Sequence, residues 1–257
     1  MSASFQHDVP RLVAGHVRAA ITRRAHERVG PFLAAFDIHS ADPWRNYAVP
    51  DDDARPTPDD VAALVAVFEE RGRVPRLEYV PASAPQVEAA LTAAGFTVDG
   101  RPPVMVSVPG SLSPARPPAG VALDLATSDD ALLAAATVQH LAYRRPEPAG
   151  PHDVARLRSC VGRGGLIALA TDAVTGQAVG SGLVDGPIEG IGELAAVGVL
   201  ESFRRRGIAT AVSVRLAVTA HEQGMRMVWL EAAPAEERIY RRAGFAAAGR
   251  KLWISRP

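Results

Sequence analysis

The 257-residue chain contains one cysteine, Cys160, so no disulfide can form within it, and this suits a reducing, cytoplasmic compartment. It contains one lysine, Lys251, and almost all of its 28 basic residues are arginine, balanced by 28 acidic ones. A formal net charge of zero gives no basis for bulk attraction to nucleic acid or to a membrane surface. No apolar run reaches the roughly 20 residues that cross a bilayer. The polar N-terminus is not followed by the apolar stretch of a secretory signal. No pair of histidines or cysteines has metal-ligand spacing, so no metal is expected. The chain lacks the Gly-x-x-x-x-Gly-Lys-Ser/Thr phosphate loop and the three spaced glycines of a dinucleotide fingerprint. What it does have is 47% hydrophobic residues, enough to build the core of one large domain or two of ordinary size.

Proline, glycine and serine crowd the segment from Ser107 to Gly120, where no hydrophobic period survives. The reading is an N-terminal domain over 1–110, a proline-rich linker over 111–120 and a C-terminal domain over 121–257. In the C-terminal part, Val121 to Leu125 alternates as a strand. Thr127 or Ser128 caps a helix running toward Tyr143, with Asp129 and Asp130 in its first turn. A second helix is expected from Pro151 to Cys160, and a hairpin from Leu166 to Thr171 and Ala178 to Val184. A strand over Glu193 to Leu200, a helix from Gly207 to Gly224, a strand over Met225 to Ala232 and a short helix over Ala235 to Ala243 follow. A last strand pair spans Phe245 to Ile254. The N-terminal part is expected to hold helices over Pro10 to Val29, Pro58 to Arg71 and Pro85 to Ala94, with a strand over Arg76 to Pro81. The fold class is α/β, or α+β with a mixed sheet. Leu91 to Phe96 and Tyr240 to Phe245 both close with Ala-Gly-Phe before a strand, a short internal repeat.

The most informative stretch is Arg204-Arg205-Arg206-Gly207-Ile208-Ala209-Thr210, directly after the apolar strand. A strand, a basic turn with one glycine and a helix start make an anion site. The first N–H groups of a helix lack intrahelical partners, and the dipole places partial positive charge there. Gly207 lets a phosphate approach the backbone, and the arginines add charge that a pyrophosphate would neutralise.

The pattern Arg204-x-x-Gly207-x-Ala209 resembles the acyl-CoA signature of the GNAT acyltransferase superfamily, Gln/Arg-x-x-Gly-x-Gly/Ala. Ile239-Tyr240-Arg241-Arg242-Ala243-Gly244-Phe245 resembles the family's closing Leu-Tyr-x-x-x-Gly-Phe. The resemblance covers roughly residues 120–257 and implies a GNAT fold there. It also implies acetyl-CoA as donor and a small-molecule or peptide amine as acceptor. Arg204, Arg205, Arg206, Gly207, Ile208, Ala209 and Thr210 would hold the pyrophosphate, while Val197, Gly198 and Val199 would pair with pantetheine as an added strand. Glu193, fourteen residues before Gly207, matches the glutamate base of many members, and Tyr240 the tyrosine that protonates the departing thiolate. One departure is Ala233, followed by Pro234, where many relatives carry a cofactor-contacting asparagine seven residues before the tyrosine.

The first part reads as a degenerate GNAT-like domain or an unrelated α/β cap. It has no Arg/Gln-x-x-Gly-x-Gly/Ala pattern, so no CoA is expected there. It would shape the acceptor cleft or a homodimer interface. Cys160, His140, His152 and His221 lack catalytic context, and Asp185 and Glu189 lie in a glycine-rich loop that could attract a cationic substrate. The rival to an acetyltransferase is an acyl-CoA-binding scaffold or pseudo-enzyme without turnover.

Overall fold

The computed structural model describes residues 3–38, 40–113, 116–233 and 236–257. The chain forms two compact units, one of residues 1–104 with 248–257, the other of residues 105–247. The last ten residues therefore belong with the first unit, and the second begins inside a strand. This differs from the 1–110, 111–120 and 121–257 division read from composition. The proline-rich stretch is not where the units part.

The first unit opens with helix α1 (Ala3–Ile21), which buries Val9, Val13, Val17 and Ile21 at four-residue spacing. The expected helix to Val29 ends eight residues early. A turn over 22–25 leads into strand β1 (His26–Val29), antiparallel to β2 (Phe32–Ala35). Then come β3 (Tyr47–Pro50), α2 (Pro58–Glu69), β4 (Arg76–Tyr79), α3 (Val87–Ala93) and β5 (Thr97–Gly100). Strands β3 and β4 pair in parallel across the α2 crossover. Helix α2 turns Val61, Leu64, Val65 and Phe68 to the core.

The second unit contains most of β6 (Pro103–Ser107), then β7 (Val121–Leu125), α4 (Asp129–Ala142), α5 (Pro151–Gly162) and the antiparallel β8 (Leu166–Asp172) and β9 (Ala178–Val184). Strand β10 (Ile191–Val199), α6 (Ile208–Glu222) and β11 (Met227–Glu231) form a second parallel crossover. Helix α7 (Glu237–Ala243) and strand β12 (Ala246–Arg250) precede the last strand, β13 (Leu252–Ser255). Helix α7 starts later than the expected Ala235, which with Pro234 lies outside the described residues. Ser128 caps α4 by accepting from the Ala131 N–H at 3.3 Å. Residues of β8 alternate: Leu166, Ala168 and Ala170 join a core with α6, while Ile167 and Leu169 pack in a separate cluster with Leu132 of α4 and Leu157 of α5. Helix α6 thus covers one face of the sheet, and α4 and α5 the other.

The sheets run β1-β2-β3-β4-β13-β5 and β7-β8-β9-β10-β11-β6-β12. Strand β6, from the first half of the sequence, lies beside β11, and β13, from the second half, lies beside β4. Each sheet is completed by a strand from the other half of the chain. The expected pair over Phe245 to Ile254 is therefore two strands in different sheets. In strand order β1-β2-β3-β4-β13-β5 repeats β8-β9-β10-β11-β6-β12, so the short Ala-Gly-Phe repeat belongs to a duplicated fold. Both copies end their short helix alike. The Phe96 N–H donates to the Leu91 carbonyl (3.1 Å) and the Phe245 N–H to the Tyr240 carbonyl (3.0 Å), with Gly95 and Gly244 at positive φ.

Candidate active site

The site begins where β10 and β11 part. The two strands are in parallel register at Ile191–Met227, Gly192–Val228 and Glu193–Trp229, and there the pairing stops, although β10 runs on to Val199 and β11 to Glu231. On its other edge β10 stays paired to β9, but the register shifts between Ala195–Leu183 and Gly198–Ser181. Two residues, Ala196 and Val197, thus oppose one, and Ala196 has φ +52°. This is a β-bulge, which bends a strand and sharpens its twist. It turns β10 away from β11 and leaves a stretch of strand edge unpaired. At Gly198 a Cβ would come within 2.7 Å of the Ala142 Cβ, so glycine lets the C-terminal turn of α4 lie against the strand.

The edge carbonyls facing the gap are held by side chains. The Tyr143 hydroxyl donates to the Val197 carbonyl (3.1 Å), and Arg204 Nε donates to the Val199 carbonyl (3.1 Å). The Arg204 guanidinium also reaches the Ala142 carbonyl at the end of α4 (3.4 Å). Arg204 therefore ties the strand to the helix although it is exposed, as Arg205 and Arg206 are. Arg205 has φ +62° and Gly207 φ +84°, and this left-handed geometry turns the chain into α6. Arg206 stacks 4.7 Å over the Phe203 ring and donates to the Ser202 carbonyl (3.2 Å). Ile208 is buried and packs toward Gly180, so only its backbone faces the loop. Ala209 and Thr210 are half-buried in the first turn. The start of α6 has no side-chain cap. Its first N–H groups remain available to an anion, beside arginines.

Glu193 is half-buried on β10, at the last paired position before the strands separate. Tyr240 is buried on α7, edge-on to Phe245 with ring centroids 5.9 Å apart. Burial raises its phenol above the ordinary range, and the negative field of Glu236 adds to this. The neighbouring Tyr143 acts the same way, while a hydrogen bond with Ser213 acts against it. Tyr240 is therefore a neutral O–H donor. Desolvation of its hydroxyl, which is turned in against β10, raises Tyr143 as well, with Glu236 again adding, although the residue as a whole is 54% exposed. Tyr143, Tyr240 and Glu236 thus share one electrostatic neighbourhood, and Ser213 of α6 bonds into it. Sequence reasoning singled out Tyr240 alone, because Tyr143, Ser213 and Glu236 belong to no motif. The one available signal was that Tyr143 ends a helix whose start was readable. Ala233 accepts from the Glu236 N–H (2.8 Å), and Pro234 lies outside the described residues.

The remaining candidates are structural. His140 is buried, with Nδ1 at 2.9 Å from the Glu147 carbonyl and Nε2 at 3.2 Å from Asp153, fastening the segment between α4 and α5. His221 bridges Ser107 (3.0 Å) and the Met225 carbonyl (2.8 Å). Cys160 is buried, and its thiol is pushed up to about 12, chiefly by burial. Asp185 accepts from Arg163 (3.2 Å) and from the Gly186 N–H (2.7 Å). Among the described residues no cluster of His, Cys, Asp or Glu could hold a metal, and no helix is long and apolar enough to cross a membrane.

The first unit lacks the anion loop. At the corresponding place, between β3 and α2, stand Asp51, Asp52 and Asp53, paired respectively with Arg28 (2.6 Å), Arg18 and Arg11 (3.2 Å). The start of α2 is occupied by its own capping box. Thr57 accepts from the Asp60 N–H (3.2 Å) and Asp60 from the Thr57 N–H (2.8 Å). A loop whose aspartates are taken up by arginines, leading into a helix start closed by its own capping box, lacks the arginine loop and uncapped helix start of the second unit.

Residues 134–245 match the model of the Acetyltransferase (GNAT) family. No curated protein matches the chain. Among solved structures, the chain is similar to a GCN5-related N-acetyltransferase from Kribbella flavida, with 23% identity, a TM-score of 0.77 and coverage of 95% of this chain and 96% of that one. It is also similar to a tandem GNAT protein from the clavulanic acid biosynthesis pathway, at 18% identity and TM-score 0.59, over 89% and 80% of the two chains. A putative GNAT-family acetyltransferase from Novosphingobium aromaticivorans matches at 14% identity and TM-score 0.56, over 96% and 97%. At these identities the likeness is one of fold, and it extends over both units.

Proposed function

We propose, on the match of residues 134–245 to the Acetyltransferase (GNAT) family model, that the chain transfers an acetyl group from acetyl-CoA to a primary amine. The observation that carries this reading is the gap between β10 and β11 lying beside the uncapped start of α6. Pantetheine is a chain of secondary amides, and an unpaired strand edge accepts such a chain as an added strand. Val197, Gly198 and Val199 would supply that edge. The pyrophosphate would sit on the N–H groups of Ile208, Ala209 and Thr210, with Gly207 giving access and Arg205 and Arg206 adding charge. Arg204 would hold the loop to the strand.

The amine must be neutral to attack. Glu193 takes its proton, directly or through a water, and the nitrogen adds to the thioester carbonyl carbon. As the tetrahedral intermediate collapses, the C–S bond breaks and Tyr240 donates its proton to the departing thiolate. Its raised pKa suits this role, because the hydroxyl stays protonated throughout the neutral range. The acceptor is a small-molecule or peptide amine. The test is acetyl-CoA offered with a library of amines and read by free thiol release. Thiol release that depends on the amine supports transfer. Tight acetyl-CoA binding with no turnover on any amine would instead mark a binding module.

A further inference from the structure

The Tyr143 hydroxyl bonds to the one strand segment that the proposed donor would use. Residue direction along β10 fixes which carbonyls face the gap. The Glu193 carbonyl accepts from the Asp185 N–H (3.0 Å), so it points toward β9. Beyond the bulge, Gly198 is in register with Ser181, and the Leu200 N–H donates to the Val179 carbonyl (2.9 Å), which again directs alternate residues to β9. Val197 and Val199, on the other alternation, direct their carbonyls to the side that β11 has left. An unpaired strand carbonyl needs a donor. In this protein Val197 obtains one from Tyr143 and Val199 from Arg204.

These two donors differ in kind. Arg204 belongs to the loop itself and also holds the end of α4. Tyr143 is the C-cap residue just past Ala142, the last residue of α4; it is 54% exposed, and its N–H is already used by the Gln139 carbonyl. The next residue, Arg144, has φ +54°, so the helix ends there and the chain turns away. A half-exposed side chain at a helix terminus can change rotamer without moving the strand.

Resting on the acetyl-CoA reading above, we propose that Tyr143 is a placeholder for the acyl donor. In the free protein its hydroxyl occupies the Val197 carbonyl, and it yields that carbonyl to an amide N–H of pantetheine. The exchange replaces one hydrogen bond with another, so the edge is never left unpaired. It also makes the tyrosine a competitor of the donor.

That competition gives Tyr143→Phe an unusual expected sign. Phenylalanine keeps the ring and removes the competing donor, so acetyl-CoA should bind about five-fold more tightly, the equivalent of one ordinary hydrogen bond. Calorimetry with acetyl-CoA on wild type and Tyr143→Phe reads this. Unchanged or weaker binding in the variant, beside a wild type that binds, overturns the placeholder and leaves the acetyl-CoA reading intact. A wild type that does not bind acetyl-CoA overturns both. A crystal structure of the wild-type coenzyme A complex tests the same point without a variant. The Tyr143 hydroxyl should have left the Val197 carbonyl, with a pantetheine N–H in its place. A retained Tyr143–Val197 bond with the ligand seated overturns the proposal.

Discussion

Glu193 and Trp229 are the last residues at which β10 and β11 face each other in parallel register. A carboxylate therefore stands at the fork of the gap. Past the fork, β10 carries the bulge at Ala196 and Val197 and ends in the arginine loop, while β11 ends at Glu231. The geometry follows from backbone choices. The residue at positive φ in β10 bends the strand, Gly198 admits α4, and Gly207 starts α6 from a left-handed turn.

Glu193→Gln keeps the shape of the side chain and removes its basicity. With chemistry limiting, the rate of amine acetylation should fall by about 10²–10⁴, with acetyl-CoA affinity nearly intact. The check is a pH–rate profile of wild type and variant. An acidic limb that persists in Glu193→Gln would assign the base to water or to another group.

Tyr240→Phe should lower turnover by about 10² while leaving acetyl-CoA binding within a few-fold, because the lost proton donation acts mainly in the transition state. Burial raises the Tyr240 phenol above its ordinary value of 10, so its loss should lower the plateau and leave the shape of the pH profile unchanged up to that pH. The same shift acts on stability. The neutral phenol is favoured in the folded state, so this contribution is complete below pH 10 and declines above it, as unfolded chains ionise first. Tyr79 is raised too and adds to the decline. Thermal denaturation of wild type and Tyr240→Phe between neutral pH and pH 11 would show it. A variant with wild-type turnover would leave Tyr240 as packing alone.

The full chain should bind one acetyl-CoA, not two, because Asp51, Asp52 and Asp53 with the Thr57–Asp60 capping box stand where the second unit has its arginine loop. Calorimetric stoichiometry decides this. Strand exchange adds a second expectation. A fragment of residues 121–257 lacks β6, the neighbour of β11, and carries β13 away from β4. It should be markedly less stable in urea than a fragment of residues 105–247, which follows the unit boundary.

The second unit was largely legible because its signals are local. Ser128 caps α4, the hairpin of β8 and β9 alternates, and Arg204 to Thr210 joins a strand to a helix. In the first unit helices α2 and α3 and strand β4 were legible, whereas β1, β2, β3 and β5 were not. Strand β2 is four residues long and buried on every position, so it shows no alternation, and β3 ends in a proline. Strand β1 follows α1 after a four-residue turn, and its polar residues extend the helical pattern in the sequence. The exchange of β6 and β13 leaves no local mark, since it depends on which sheet edge each strand reaches. In the site, Glu193 and Tyr240 could be read from motif spacing, whereas Tyr143 acts through a hydroxyl that meets Val197, 54 positions along the chain.

The central claim is that acetyl-CoA binds at the start of α6, and calorimetry on Gly207→Glu tests it most directly. Gly207 has φ +84°, and a Cβ there would meet no atom closer than Pro118 Cγ at 3.7 Å, so the first side-chain atom fits at a backbone cost of about 1–2 kcal/mol. The carboxylate would stand where the pyrophosphate is proposed to sit. Wild type should bind acetyl-CoA with micromolar affinity, about −8 kcal/mol, and a Gly207→Glu protein with wild-type circular dichroism should bind at least about 100-fold more weakly. Wild-type affinity in that folded variant would contradict the account.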